Sequence, residues 1–83
     1  SKRKIYYTLY EISISAKLTN CDDIQDIFEK NFHKIFKFNK KLINHDELKL
    51  SAVISTKKPL KEINEIFKSL NSIDSIEIRE YYD

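Results

Sequence analysis

The groups in this chain that could do chemistry are few: two histidines, a single cysteine and thirteen carboxylates. His33 and His45 are the only histidines, and with the candidate carboxylates nearby, Asp22, Asp23, Asp26, Asp46 and Glu47, they make a metal site conceivable. Most of these carboxylates have simpler explanations. Asp22 and Asp23 fall where a helix begins, and negative charge is favoured there by the helix dipole. His45-Asp46 belongs to a polar turn. No Ser/His/Asp or Cys/His set follows a motif of nucleophilic catalysis. Cys21 also falls at the helix start, a position that can activate a thiol, but the adjacent Asp22 and Asp23 oppose activation. With no second cysteine, it can build neither an internal disulfide nor a CxxC site, which fits a reducing compartment. The residues point to no catalytic, cofactor-binding or metal-binding set, and so to no enzyme.

Glycine is absent. Phosphate-cradling loops and close backbone approach to nucleotides generally require it, which excludes Walker-type and Rossmann-type sites. Fifteen basic against thirteen acidic residues leave a formal charge of +2, too small to act as an electrostatic footprint for nucleic acid. A local patch is the alternative. Lys34, Lys37, Lys40 and Lys41 interleave with Phe36 and Phe38, the kind of mixture that binds single strands on open sheets. An RNA-binding sheet would also show an aromatic motif with glycine on its central strands, and the third strand offers Lys49, Ser51, Val53 and Ser55 instead. The simpler reading is a charged edge strand with an apolar inner face, which argues against nucleic acid as a partner.

The elements that must position these groups follow from periodicity. At 83 residues, 41% hydrophobic and 34% charged, residues 1–83 suffice for one domain with one core. From Ile5 to Leu18, Tyr6, Tyr10, Ile12, Ile14, Ala16 and Leu18 alternate with Glu11, Ser13, Ser15 and Lys17, predicting a half-buried strand. Asn20 is a helix cap, and Ile24, Ile27, Phe28, Phe32 and Ile35 form the apolar stripe of a helix reaching about His33 or Lys34. Ile35 to His45 reads as an edge strand, with Phe36, Phe38, Lys40 and Leu42 on one face and lysines that blunt edge pairing. After the Asn44-His45-Asp46 turn, Leu48, Leu50, Ala52 and Ile54 mark the clearest strand. Pro59 occupies the first turn of a second helix with Leu60, Ile63, Ile66, Phe67 and Leu70 inward, and Asn71 is a left-handed stop. Ile73, Ile76 and Ile78 belong to a last strand.

The order strand, helix, strand, strand, helix, strand is a split β-α-β arrangement: an α+β, βαββαβ sandwich with a four-stranded antiparallel sheet and two helices on one face. With right-handed crossovers the first and third strands lie in the middle, and the other sheet face stays open. The tyrosines gather at the start of the first strand and the end of the last, which pair antiparallel. Ile5, Tyr7 and Leu9 make that end apolar on both sides. Ile5, Tyr7, Leu9, Tyr81 and Tyr82 are therefore the expected interface, with a homodimer through the sheet as one form of it. Ser1-Lys2-Arg3-Lys4 is a basic leader, either a solvated terminus or the cytosolic flank of a preceding transmembrane helix.

In this order the chain resembles the ACT-like, ferredoxin-like folds, and more narrowly the C-terminal cytosolic domain of the MgtC/SapB family of bacterial membrane proteins. Lys2-Arg3-Lys4 leads into the alternating IYYTLYEISISAKL, the DELKLSAVIS strand is followed by a helix, and SLNSIDSIEIRE looks like that family's closing helix, turn and strand, with Asp74 where a glycine is often found. The resemblance implies a regulatory or interaction module without enzymatic activity. Its partner would be a membrane domain of the same polypeptide, linked to magnesium homeostasis, on the cytoplasmic side of the cell membrane. Related ACT domains bind amino acids at a loop containing Asp and Gly between the first strand and first helix. Leu18 to Asp23 lacks the glycine, so no ligand residues carry over. The alternative is a free-standing module that binds a small ligand or single-stranded nucleic acid on the open sheet face.

Overall fold

The computed structural model describes residues 6–71 and 73–82. Four strands, β1 (Thr8–Lys17), β2 (Lys34–Leu42), β3 (Glu47–Thr56) and β4 (Ile73–Glu80), and two helices, α1 (Cys21–Asn31) and α2 (Leu60–Lys68), follow the βαββαβ order. The strands form one antiparallel sheet in the order β2-β3-β1-β4, with β1 and β3 in the centre. Both helices cover the same face. Ile12, Ile14 and Ala16 of β1 and Leu48, Leu50, Ala52 and Ile54 of β3 are buried in one cluster with Ile24 and Phe28 of α1 and Ile63 and Phe67 of α2. That period-two selection of alternate strand residues is the one the sequence displays.

Phenylalanines organise the cluster. Phe28 meets Phe38 edge-on at 5.6 Å and lies tilted against Phe67 at 5.2 Å, and Phe32 stacks on Phe67 at 6.2 Å. Such pairs add about 0.5–1.5 kcal/mol each beyond area burial, which matters in a domain with so small a core.

Several expected boundaries move. Helix α1 stops at Asn31, whose Nδ2 donates to the Ile27 carbonyl at 2.8 Å, and Phe32 is already extended at φ −130° and ψ 126°. Phe32 is buried from the connection, and Ile35 packs inward from β2 rather than from the helix. The FHKIFKF run is rich in residues that suit a pleated surface, so the strand takes the last apolar positions of the apparent helical stripe. At its start, α1 is led in by a 3₁₀ turn over Leu18–Asn20, and Asn20 makes no side-chain capping bond to it. Asp22 and Asp23 do occupy its first turn. Pro59 precedes α2 as its cap residue, its carbonyl accepting from the Glu62 and Ile63 N–H groups, and the helix ends at Lys68, before Asn71. The β2-β3 turn is as expected: the Asn44 side chain accepts from the Asp46 and Glu47 N–H groups.

The largest departure lies in β2. Phe36 pairs with Val53 and Asn39 with Ser51, so Lys37 and Phe38 together oppose Ala52 in a β-bulge. Lys37 adopts a left-handed φ of 49°. The extra residue reverses the alternation. Phe38 turns toward Phe28, while Phe36, expected beside it, emerges on the opposite face of the sheet. A second register shift falls between Ser15 and Ala16, where Asp74 is the additional residue in β4.

Candidate docking face

The sheet face away from the helices is built from the odd-numbered residues of β1 and β3 and, after the shift at Asp74, from Ser75, Glu77 and Arg79 of β4. The registers place Leu9, Glu11, Ser13, Ser15 and Lys17 beside Ser55, Val53, Ser51, Lys49 and Glu47, and Glu11, Ser13 and Ser15 beside Arg79, Glu77 and Ser75. Most of this surface is polar. In the cross-strand row that contains Val53, Arg79 donates from Nε and Nη2 to Glu11 Oε1 at 2.9 and 2.6 Å. That hydrogen bond, with the charge of Glu11 behind it, raises the guanidinium above its ordinary range.

One end of the face is not polar. Val53 is only 4% exposed, although it lies outside the helix-covered cluster. Leu9, Phe36, Lys37 and Tyr81 line a groove of about 260 Å³ around it. The bulge delivers Phe36, and the Tyr81 N–H bonds to the Leu9 carbonyl, which holds the chain beyond β4 against β1. Lys37 reaches over the groove with its ammonium 4.8 Å from the centroid of the Tyr81 ring, and Nζ donates to the Tyr81 hydroxyl. This end of the expected open face is thus partly closed by the chain's own side chains, leaving Phe36 at 47% exposure as its rim.

Of the five expected interface residues, Leu9 and Tyr81 meet in this groove. Tyr7, 59% exposed, stands in a separate cleft beyond the end of β1. Tyr82, 81% exposed, donates its hydroxyl to Glu80, and that bond to a carboxylate raises its phenol above the usual range. Ile5 lies outside the described residues. Val53, Phe36 and Lys37 were not among the expected set. Val53 carried a signal, being the one apolar side chain among the polar alternates Glu47, Lys49, Ser51 and Ser55; Phe36 and Lys37 depended on a bulge that no spacing announced.

The other candidates separate. His33 precedes β2 and His45 sits in the hairpin after it, at opposite ends of the sheet, and both are exposed. Among the described residues no group of three or more His, Cys, Asp or Glu is placed to hold a metal ion. Cys21 is a half-buried free thiol packed against the core. The basic and aromatic stretch of β2 is divided between faces: Lys34, Phe36 and Lys41 register on the open side, whereas Phe38 packs on Phe28 and carries Lys40 at 6.0 Å.

No protein-family model matches this sequence, and no curated protein matches it. Solved structures do. The ACT domain of GTP pyrophosphokinase from Chlorobium tepidum superposes with a TM-score of 0.74 at 12% identity, covering 92% of this chain and 90% of its own. The C-terminal domain of the MgtC protein from Mycobacterium tuberculosis gives 0.66 at 9% identity, covering 98% and 94%. GlnK of B. subtilis, in its ATP complex, gives 0.58 at 13% identity, covering 90% and 84%. At these identities the likeness is one of fold, and the chain has the ferredoxin-like, ACT-like fold over nearly its whole length.

Proposed function

We propose that this chain is a non-enzymatic regulatory module that docks through the apolar end of its uncovered sheet face, and that a second copy of the chain is the partner. The buried Val53 carries the reading. A valine enclosed on the side away from the helices, ringed by Leu9, Phe36 and Tyr81, marks a place where apolar surface continues past the domain's own core. An exposed apolar rim beside a polar surface is the usual anatomy of an interaction site.

The finer reading is that the module serves a bacterial membrane protein of the MgtC/SapB type, on the cytoplasmic side, in magnesium homeostasis. The Lys2-Arg3-Lys4 leader and the superposition on the C-terminal domain of MgtC support it. Among the described residues no helix is long and apolar enough to cross a membrane, so the spanning segments would be encoded elsewhere in the gene. Apolar stretches of about 20 residues upstream are expected, and a reading frame without them would remove the membrane reading while leaving the docking one intact.

Sedimentation tests the docking. Leu9→Asp places a charge in the groove and should shift the chain toward monomer while the helical circular dichroism is retained. Phe36→Asp, at the exposed rim of the groove, extends the same test. If both variants sediment as the parent does across the concentration range, the second copy does not use this face.

A further inference from the structure

Three connections meet at the end of the sheet where β1 begins: the approach to β1 at Tyr7, the α1-β2 link at Phe32 and His33, and the β3-α2 link at Lys57 and Lys58. Together with Asn31, Lys34, Ser55 and Thr56 they line a cleft of about 170 Å³. Among the described residues no carboxylate lines it. The Tyr7 ring forms one wall, with the Lys57 ammonium 4.9 Å and the Lys34 ammonium 6.0 Å from its centroid. An aromatic face attracts these cations but accepts no ordinary hydrogen bond, so their N–H donors are left for another acceptor. Among the described residues no carboxylate pairs with Lys34 or Lys57, and Lys58 has only a 3.9 Å contact with the exposed Glu62.

Lys34 and Lys57, whose ammonium groups both lie by the Tyr7 ring, form a local excess of positive charge that the overall charge of +2 conceals. The helix ends do not alter this. The start of α2 contributes roughly +0.5 charge and the end of α1 roughly −0.5, which cancel and leave the lysines in control. The volume also restricts the ligand, because ordinary small-molecule pockets begin at about 300 Å³. This cleft suits an anionic group rather than a whole bulky molecule.

We infer that the cleft formed by Tyr7, His33, Lys34, Lys57 and Lys58 binds a phosphate-bearing ligand, its phosphate held by the Lys34 and Lys57 ammonium groups that the Tyr7 ring positions. Charge-assisted bonds from lysine to phosphate are the chemistry it offers. The site lies at the opposite end of the sheet from the β1-α1 connection and is separate from the Val53 groove.

The test is an amide chemical-shift titration of the labelled chain with inorganic pyrophosphate at ionic strength held constant with chloride. Shifts concentrated at Tyr7, His33, Lys34, Lys57 and Lys58 are expected. Lys34→Ala combined with Lys57→Ala should weaken binding by about tenfold or more, since each removes a charge-assisted bond. Lys17→Ala with Lys49→Ala, at the far end of the sheet, should not. A parallel arm spins the chain down with phosphatidylcholine vesicles with and without phosphatidylglycerol. Pyrophosphate shifts without pelleting identify a soluble phosphate ester as the ligand. Pelleting on phosphatidylglycerol that Lys34→Ala with Lys57→Ala abolishes identifies a lipid headgroup. Shifts no larger than chloride produces, together with no pelleting, overturn the proposal, as would equal loss in the Lys17 and Lys49 control.

Discussion

Val53→Ala separates a bare sheet face from one that is partly closed. On a bare face the side chain would be a solvent-facing alternate of β3, and truncation would change stability by less than about 0.5 kcal/mol. At 4% exposure it is instead a core-like residue with Leu9, Phe36 and Tyr81 around it. Truncation removes two carbons, about 1.6 kcal/mol at about 0.8 kcal/mol each, and incomplete collapse of the groove adds a cavity cost, so a loss of about 2 kcal/mol is expected. For a domain of this size the total is roughly 4–12 kcal/mol, and the melting temperature should fall by about 8–16 °C.

Thermal and urea unfolding at two protein concentrations measure it, with Ser51→Ala as the control on the same strand and face. Loss below about 0.5 kcal/mol would refute the argument that Val53 is enclosed. The concentrations add a second decision. Cover supplied by the chain's own Phe36 and Tyr81 gives a loss independent of concentration, whereas cover supplied by a second copy makes the apparent stability rise with concentration. A double-mutant cycle with Tyr81→Ala should show a coupling of about 0.5 kcal/mol or more, because residues that share one cavity are not additive.

Phe28→Ala removes the ring shared by Phe32, Phe38 and Phe67 and should cost about 3–5 kcal/mol in urea unfolding, enough to leave the domain marginal. Lys37 holds a left-handed φ of 49°, so Lys37→Val should destabilise by more than about 1 kcal/mol, whereas Lys37→Gly should keep the bulge; equal stability of the two variants would show that the position is not constrained. Glu80 raises the Tyr82 phenol, and a raised pKa means a contribution fully present below the ordinary tyrosine value of about 10 and lost as pH climbs through the folded value. Ultraviolet titration should therefore show a late-ionising tyrosine in the folded chain that Glu80→Gln returns to the ordinary range.

How much of this was legible in the sequence depends on which interaction decides each feature. Strands β1 and β3 were readable because burial on one face imposes alternation, which Ile12, Ile14, Leu50 and Ile54 obey, with Val53 as the exception buried on the other face. The strand order and the common helix face follow from connectivity and chirality, which also act on the chain as a whole. Boundaries were less legible where two periods compete. Phe28, Phe32 and Ile35 satisfy helical spacing, yet Phe32 and Ile35 reach the same core from an extended chain. Local spacing contains nothing that separates these solutions, since both bury the same side chains and only the packing against Phe67 and the sheet tells them apart.

The Val53 groove illustrates the limit more sharply, because its make-up depends on a single inserted residue. Without the bulge at Lys37 and Phe38, Phe36 and Phe38 would lie on one face, and the uncovered side of β2 would present Lys37 and Asn39. With it, one phenylalanine completes the core against Phe28 and the other shelters Val53. Lys37 then sits at the bend, where its left-handed backbone lets the ammonium turn toward Tyr81. The same insertion dismantles the basic and aromatic stripe that resembled a single-strand binding surface. A register change of one residue therefore converts a candidate nucleic-acid surface into an apolar groove, whereas deleting Lys37 should remove the bulge without undoing the groove: Phe36 and Phe38 become neighbours on opposite faces, Phe36 stays opposite Val53, and amide exchange at Val53 is unchanged.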